Sequence, residues 1–141
     1  MEQTLPLQDN QKTVLVVDDD AALLKVVTSM LVRDYNVLRA SSGREALQLS
    51  RSYSPAIHLL LSDFEMPEMN GIALATQISV ERPQIKVLLM SGFTGGMLVL
   101  NEGWHFLPKP FIASQLHALI AGLINPEESR KAQRAGSENF V

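Results

Sequence analysis

The sequence predicts an α/β fold, a doubly wound five-stranded parallel sheet with its fourth helix shortened or irregular. Short, continuous apolar runs recur along the chain, which is typical of strands buried on both faces of a parallel sheet. Segments with helical spacing of apolar residues separate these runs, and strict alternation of strand and helix favours right-handed parallel crossovers. Acidic and hydroxyl-bearing residues come directly after several runs, at the edge where open α/β sheets bind ligands.

Five runs are predicted as strands. Three are continuously apolar, as in the middle of a sheet: 13–17, 57–61 and 87–90. The run 36–40 is more mixed, which favours a position at one edge. The run 104–107 is short and ends at a proline, a residue found at sheet edges or where a strand stops.

Four helices are predicted from apolar residues spaced three and four apart. The stripes are Leu23, Val27, Met30 and Leu31; Ala46, Leu47 and Leu49; Gly71, Leu74, Ala75 and Ile78; and Leu116, Leu119, Ile120 and Leu123. Asp20 stands at the start of the first stripe, where an aspartate serves as an N-cap. Another helix, between 94 and 103, is predicted to have one or two turns at most, because that segment is rich in glycine.

Composition restricts the class of protein. The 141 residues carry a net charge of −3 and no cysteine, and 46% are hydrophobic, which suits one globular domain. The absence of cysteine excludes disulfides, thiolate zinc sites and thiol catalysis. A slightly acidic chain has no general attraction for nucleic acid or anionic lipid, so we expect neither as a direct partner. With no signal sequence and no apolar span, the sequence predicts a soluble, cytoplasmic protein.

Carboxylates follow the first and third runs: Asp18, Asp19 and Asp20 after the first, and Asp63 after the third. Because the carboxyl ends of parallel strands meet at one edge, we expect these side chains to lie close together. Clustered carboxylates repel one another and would bind protons unless a cation neutralises them. Mg²⁺ prefers oxygen ligands and keeps positions open for phosphate oxygens, so the pattern predicts a magnesium site.

A serine follows the fourth run, and a lysine comes after the fifth. Lys109 would oppose a bound cation, so its presence indicates that an anion arrives, and a phosphoryl group is the natural one. The hydroxyl of Ser91 can donate to one of its oxygens. Each residue alone would be an ordinary loop residue or helix cap. Together they predict phosphoryl transfer to a carboxylate, with the metal and the lysine neutralising the charge that develops.

Four segments resemble the receiver domain of two-component response regulators, the CheY-like family. They are 14–20 (VLVVDDD), 59–71 (LLLSDFEMPEMNG), 87–92 (VLLMSG) and 106–111 (FLPKPF). The D-x-x-M-P-x-M-x-G run, followed later by K-P, is the most specific part of the resemblance, which is closest to the receivers of hybrid histidine kinases. It implies a flavodoxin-like sheet with strand order 2-1-3-4-5.

The resemblance also implies the domain limits. The receiver domain would span 12–124. Residues 1–11 would form a flexible N-terminal arm, and 125–141 a C-terminal tail or an extension of the last helix, since neither has much to bury.

Individual roles follow from the same resemblance. Asp63 would be the phosphoacceptor. Mg²⁺, or Mn²⁺, would be bound directly by Asp19 and Asp63 and mainly through water by Asp18. The backbone carbonyl of Glu65 would complete the protein ligands.

The remaining site residues would bind the phosphoryl group or respond to it. Lys109, Ser91 and Gly92 would bind the phosphoryl oxygens. Ser91 and Phe106 would form the switch pair, and the peptide bond before Pro110 would be cis, a form almost confined to proline.

The function implied is that of a response regulator receiver in phosphorelay signal transduction. The chain would take a phosphoryl group from a phosphohistidine on a sensor histidine kinase or histidine phosphotransfer protein, and would then change its contacts with an unknown downstream protein. It would not be an enzyme in the usual sense, because it catalyses only its own phosphorylation and dephosphorylation.

Two alternatives stay open. One is a phosphatase of the haloacid dehalogenase type, for which Asp18-x-Asp20 after the first strand would be the signature, although Asp63 would then have no role. The other is that the chain is a receiver fragment of a hybrid histidine kinase.

Overall fold

The computed structural model describes residues 11–92 and 103–125, which form five strands and four helices. In chain order these elements are β1 (Thr13–Val17), α1 (Ala21–Leu31), β2 (Asn36–Ala40), α2 (Gly43–Ser52), β3 (Leu59–Asp63), α3 (Gly71–Glu81), β4 (Lys86–Ser91), β5 (Trp104–Pro108) and α4 (Ala113–Ile124). The short helix predicted between 94 and 103 lies outside the described residues, as do nearly all of the predicted arm and tail. None of the described helices is long and apolar enough to span a bilayer.

The five strands are all parallel and lie in the order β2-β1-β3-β4-β5. This confirms the predicted doubly wound sheet and its strand order, with the mixed strand β2 at one edge. The order reverses direction between β1 and β3, so the ends of these two strands flank the crevice in which open α/β sheets bind ligands.

The sheet is covered on both faces, which explains its uninterrupted apolar strands. Successive side chains alternate, so Leu15 and Val17 pack with α2 and α3 in one core. Val14 and Val16 pack with α1 and α4 in the other. A strand buried on two sides must be apolar at every position, because no face of it reaches water.

Strand β3 begins and ends two residues later than the apolar run predicts. The ladder continues beyond the run because Asp63 pairs with Met90, and the N–H of Phe64 donates to the Met90 carbonyl at 2.7 Å. Asp63 is therefore the last residue of its strand and does not lie in the loop after it. The same holds for Ser91 in β4. Both residues are held by the sheet itself.

Side-chain caps fix the start of three helices. Asp20 caps α1 as predicted, Ser42 caps α2, and Asn70 caps α3. The fourth helix has no such cap, because Ile112 stands at its N-cap position and carries no side-chain oxygen. The side chain of Gln115 instead reaches back to accept the Ile112 N–H at 3.0 Å, which satisfies one of the free backbone donors at this helix end.

Candidate functional site

Three carboxylates meet at the carboxyl ends of β1 and β3. Asp18, Asp19 and Asp63 each present one oxygen, and these oxygens lie within 4.8 Å of one another. Asp18 and Asp63 are buried, whereas Asp19 is exposed to solvent. The structure thus brings together the carboxylates that the sequence places after the first and third strands. Asp20, the fourth acidic residue, points to the start of α1 as its cap.

The two oxygens of Asp18 differ in their surroundings. Oδ1 accepts the backbone N–H of Asp20 at 2.9 Å, which orients the carboxylate. Oδ2 is buried and has no hydrogen-bond partner within 11–92 and 103–125. Burial raises the pKa of Asp18 above its usual value, and the negative charge of Asp63 raises it further, against the opposing effects of the Asp20 N–H and the Lys109 ammonium. The compensation is incomplete, so the charged form of this buried carboxylate remains disfavoured.

The only described cation in this cluster is Lys109, which follows β5. Its Nζ lies 3.1 Å from Oδ1 of Asp63 and 3.8 Å from Oδ2 of Asp18. Its backbone N–H donates to the Ser91 carbonyl at 2.7 Å, which ties the end of β5 to the end of β4. The peptide bond from Lys109 to Pro110 is cis.

The backbone around Asp63 is tightly enclosed. The Ser62 hydroxyl donates to the Asp63 carbonyl at 3.0 Å, and the N–H of Gly71 donates to the Phe64 carbonyl at 2.8 Å. A Cβ on Gly71 would lie 2.5 Å from the Asp63 carbonyl oxygen, so only glycine fits where α3 begins. The path of the chain between Asp63 and Gly71 is therefore determined at both ends.

Strands β4 and β5 carry the remaining residues singled out by the sequence. Ser91 is buried at the end of β4, next to the residue that pairs with Asp63, and Gly92 follows it on the surface. Phe106 is half-buried in β5 and packs against the core beneath α2 and α3. Ser91 pairs with Pro108, so it lies two residues along the ladder from Phe106.

Glu65 lies in the loop after β3, with its side chain exposed. Together with four neighbours it lines a shallow groove, whose other residues are Phe64, Met66, Pro67 and Asn70.

Sequence reasoning missed two contacts that shape the site. It treated Asp20 as a helix cap, but the Asp20 N–H also holds Asp18, an i to i+2 contact typical of aspartate turns. It also assigned no role to Ser62, whose hydroxyl is fully buried in β3. A hydroxyl within an apolar run, directly before Asp63, was the feature of the sequence that could have indicated this contact.

The donor set fits a hard divalent cation. Carboxylate oxygens this close together suit Mg²⁺, which binds oxygen ligands and keeps positions free for water or phosphate oxygens. Oδ2 of Asp18, which has no described hydrogen-bond partner, is an oxygen that such an ion would help to satisfy. The Lys109 ammonium is a second positive group at the same edge, with which an incoming anion would pair.

Sequence comparison identifies relatives with known names. The family model described as the response regulator receiver domain matches residues 14–121. The sensor kinase CckA of Brucella abortus is 30% identical over 132 residues, which is 91% of this chain and 14% of that protein. The transcriptional regulatory protein ZraR of Escherichia coli is 39% identical over 112 residues, which is 76% of this chain and 25% of that protein. The chain thus spans a quarter or less of the length of these relatives.

Structure comparison gives the same result. The receiver domain of the hybrid histidine kinase CckA superposes with a TM-score of 0.71 at 30% identity, covering 80% of this chain and 99% of that one. A CheY-like receiver domain protein from Methanospirillum hungatei reaches 0.74 at 26% identity, covering 86% and 99%. These likenesses favour a receiver over a phosphatase of the haloacid dehalogenase type. The chain belongs to the response regulator receiver domain family of two-component systems.

Proposed function

We propose that this receiver accepts a phosphoryl group on Asp63 from a phosphohistidine of a sensor histidine kinase or histidine phosphotransfer protein. One observation carries the proposal: an ammonium group lies 3.1 Å from the Asp63 carboxylate, and two further carboxylates present oxygens within 4.8 Å of one another and of Asp63. An aspartate at the centre of such a cluster is suited to receive a group that brings its own negative charge.

Asp18, Asp19 and Asp63, with the backbone carbonyl of Glu65, would hold Mg²⁺ or Mn²⁺. The bound ion supplies positive charge that offsets the charge developing on the phosphoryl oxygens. Asp18 is suited to this role because its Oδ2 is buried without a partner while Oδ1 is fixed by a backbone N–H.

In the transfer, a carboxylate oxygen of Asp63 attacks phosphorus. The bond from phosphorus to the donor's imidazole nitrogen breaks, and that nitrogen keeps the electron pair. Lys109, already beside Oδ1, pairs with a phosphoryl oxygen, while the Ser91 hydroxyl and the Gly92 N–H donate to others. Water later attacks phosphorus, the bond from phosphorus to the Asp63 oxygen breaks, and inorganic phosphate leaves while Asp63 returns to its carboxylate. The chain promotes both steps on itself and turns over no other substrate.

The phosphoryl group would signal through Ser91 and Phe106. Movement of the Ser91 hydroxyl towards the new oxygens changes the packing at the end of β4, and the half-buried Phe106 ring fills the space that is vacated. Phe106 has no hydroxyl, so it acts by packing alone. The altered surface would change binding to a downstream protein, with no direct contact to nucleic acid or membrane.

In this role residues 12–124 would form the receiver unit, with 1–11 and 125–141 as flanking segments. The chain would act in the cytoplasm, where histidine kinases use ATP to make phosphohistidine. The kinase and the regulator that it resembles are much longer proteins, of which this chain matches 14% and 25%. Its partner would be a protein that bears a phosphohistidine.

The direct test is incubation with acetyl phosphate and Mg²⁺, followed by intact-mass measurement. We expect the wild-type chain to gain the mass of one phosphoryl group and Asp63→Asn to gain none. Asp34→Asn is the matched control, because Asp34 is an exposed carboxylate whose described ion-pair contact is with His117. Uptake by Asp63→Asn equal to that of the wild type would overturn the assignment of the acceptor.

A further inference from the structure

The loop between β3 and α3 contains a turn that an ordinary residue rarely adopts. The carbonyl of Pro67 accepts the N–H of Met69 at 2.7 Å, which closes a three-residue turn around Glu68. Glu68 has a φ of 67°, in the left-handed region that side chains other than glycine avoid. Such a conformation persists only where the surrounding structure holds it in place.

Met69 is held by a close approach to α2. A Cβ on Gly43, the first residue of that helix, would lie 2.7 Å from Sδ of Met69 and 3.0 Å from its Cβ and Cγ. The Met69 side chain also packs against the core beneath α2 and α3. Because Gly43 has no side chain, the Met69 side chain lies in the space that a Cβ at residue 43 would fill. We call this contact the seat of Met69.

The loop meets the acceptor two residues further on. Gly71 abuts the carbonyl of Asp63, where a Cβ would come within 2.5 Å of the oxygen, and its N–H binds the Phe64 carbonyl. Only Asn70 separates Met69 from Gly71. A displacement of Met69 would therefore pass through a single residue to Gly71 and so to the backbone of Asp63.

We propose that Gly43 and Met69 are a positioning pair for the phosphoacceptor. The seat on Gly43 holds Met69, the held Met69 sustains the left-handed turn at Glu68, and the turn keeps Gly71 against the carbonyl of Asp63. Neither member of the pair touches the reacting atoms. The inference rests on the proposed function, since it concerns the aspartate that receives the phosphoryl group.

The first arm of the test is Gly43→Ala in the full chain. The added Cβ must displace Met69, and we expect the rate constant for phosphorylation by acetyl phosphate with Mg²⁺ to fall about tenfold, as for a small misplacement of a reacting group. Gly122→Ala is the matched control, because a Cβ at Gly122 would meet no atom within 4 Å. Rates are compared at a temperature where circular dichroism shows every variant to be folded.

The second arm is a double-mutant cycle with Met69→Ala, which removes the anchor without adding a clash. We expect Met69→Ala alone to slow phosphorylation, and Gly43→Ala to change the rate by less than about twofold in that background. The effect on the thermal midpoint should be coupled as well. Gly43→Ala should lower the thermal midpoint in the wild type and lower it less in the Met69→Ala background, because alanine at 69 removes the contacts with Sδ and Cγ and keeps only the 3.0 Å approach of its Cβ.

The outcomes separate this inference from the proposed function. Phosphorylation of the wild type, with an unchanged rate in Gly43→Ala or in Met69→Ala, would overturn the positioning role alone. If Gly43→Ala slowed phosphorylation by the same factor in the wild-type and Met69→Ala backgrounds, the positioning role would also be overturned. No uptake by the wild type would overturn the proposed function, and this inference with it. If Gly43→Ala does not fold, Met69→Ala against the wild type decides the question.

Discussion

The Lys109 ammonium and the Asp63 carboxylate lie in contact, with Nζ 3.1 Å from Oδ1. Asp63 ends β3 and Lys109 follows β5, and β4 lies between these two strands in the sheet. The strand order places β3, β4 and β5 side by side, so residues 46 positions apart in the chain meet at one edge. The ammonium offsets one negative charge of the acidic cluster. In the proposed function it would pair with a phosphoryl oxygen after transfer.

This contact predicts the result of replacing the lysine. Lys109→Met should slow phosphorylation by acetyl phosphate by about 100-fold, because one preorganised positive group is lost where negative charge develops. Lys86→Met is the matched control, since Lys86 is exposed at the start of β4, the opposite end of the sheet. Time courses of intact mass measure both variants. Equal rates for the two would contradict the role of Lys109.

Asp18→Asn should have opposite effects without and with divalent cation. The pKa of Asp18 is raised by burial and by the charge of Asp63, so its charged form opposes folding, and the amide should stabilise the cation-free chain. The amide oxygen can still accept the Asp20 N–H. Added Mg²⁺ should raise the thermal midpoint of the wild type and have much less effect on the variant.

Asp20→Asn is the control for this pair of effects. Asp20 is exposed and caps α1, a role that asparagine fills equally well. Its thermal midpoint should therefore rise with Mg²⁺ as in the wild type. A full Mg²⁺ response in Asp18→Asn would show that Asp18 does not contribute to holding the ion.

Pattern and local chemistry predicted the parts of this structure that depend on short stretches of chain. A continuous apolar run located β1 to the residue, and the mixed run 36–40 located the edge strand β2 equally well. The convergence of Asp18, Asp19 and Asp63 followed from strand direction alone, because parallel strands share one carboxyl edge.

Contacts between distant segments could not be predicted in this way. The end of β3 depends on its pairing with β4, and the apolar run of β3 alone does not indicate the register of that pairing. The seat of Met69 on Gly43 joins residues from two elements, and a glycine at a helix start is common without such a contact. Arg82 is a further case, since its partners lie about thirty positions earlier in the chain.

From the surroundings of His58 we expect the free energy of unfolding to decrease as the pH falls. Its Nδ1 accepts the Thr13 N–H at 3.0 Å, which requires the neutral ring. Burial lowers the pKa of His58, and the charge of Lys12 lowers it further. The unfolded chain therefore binds a proton at His58 more readily than the folded chain does. The contribution of the neutral ring to the free energy of unfolding is complete above about pH 6.5 and is lost as the pH falls towards the pKa of His58 in the folded chain.

The variant His58→Gln keeps an acceptor for the Thr13 N–H but does not titrate. Between about pH 7.5 and 5.5 its urea midpoint should vary less than that of the wild type. His105→Gln, at an exposed position in β5, should retain the wild-type slope. A steep wild-type slope that persisted in His58→Gln would assign the effect to another group.

Arg82, at the end of α3, joins that helix to the end of α2. Its guanidinium donates to the Ser50 hydroxyl at 2.9 Å and to the Ser50 carbonyl at 2.8 Å, and also to the carbonyls of Tyr53 and Pro55. These acceptors include carbonyls that a helix end leaves free, so a planar, five-donor group satisfies several of them at once. Arg82→Lys should lower the free energy of unfolding by about 2 kcal/mol, because an ammonium cannot reach all of these acceptors.

The matched control is Arg51→Lys, which changes the same side chain in an exposed setting. Arg51 forms an ion pair with Glu81 at 2.8 Å, but both side chains are accessible to water, with 57% and 32% exposed. Exposed pairs of this kind contribute little, so the loss should be below about 1 kcal/mol. Urea unfolding of both variants measures the difference directly. Similar losses for the two would mean that the backbone carbonyls at the end of α2 are satisfied without Arg82, and that the join between α2 and α3 depends on apolar packing instead.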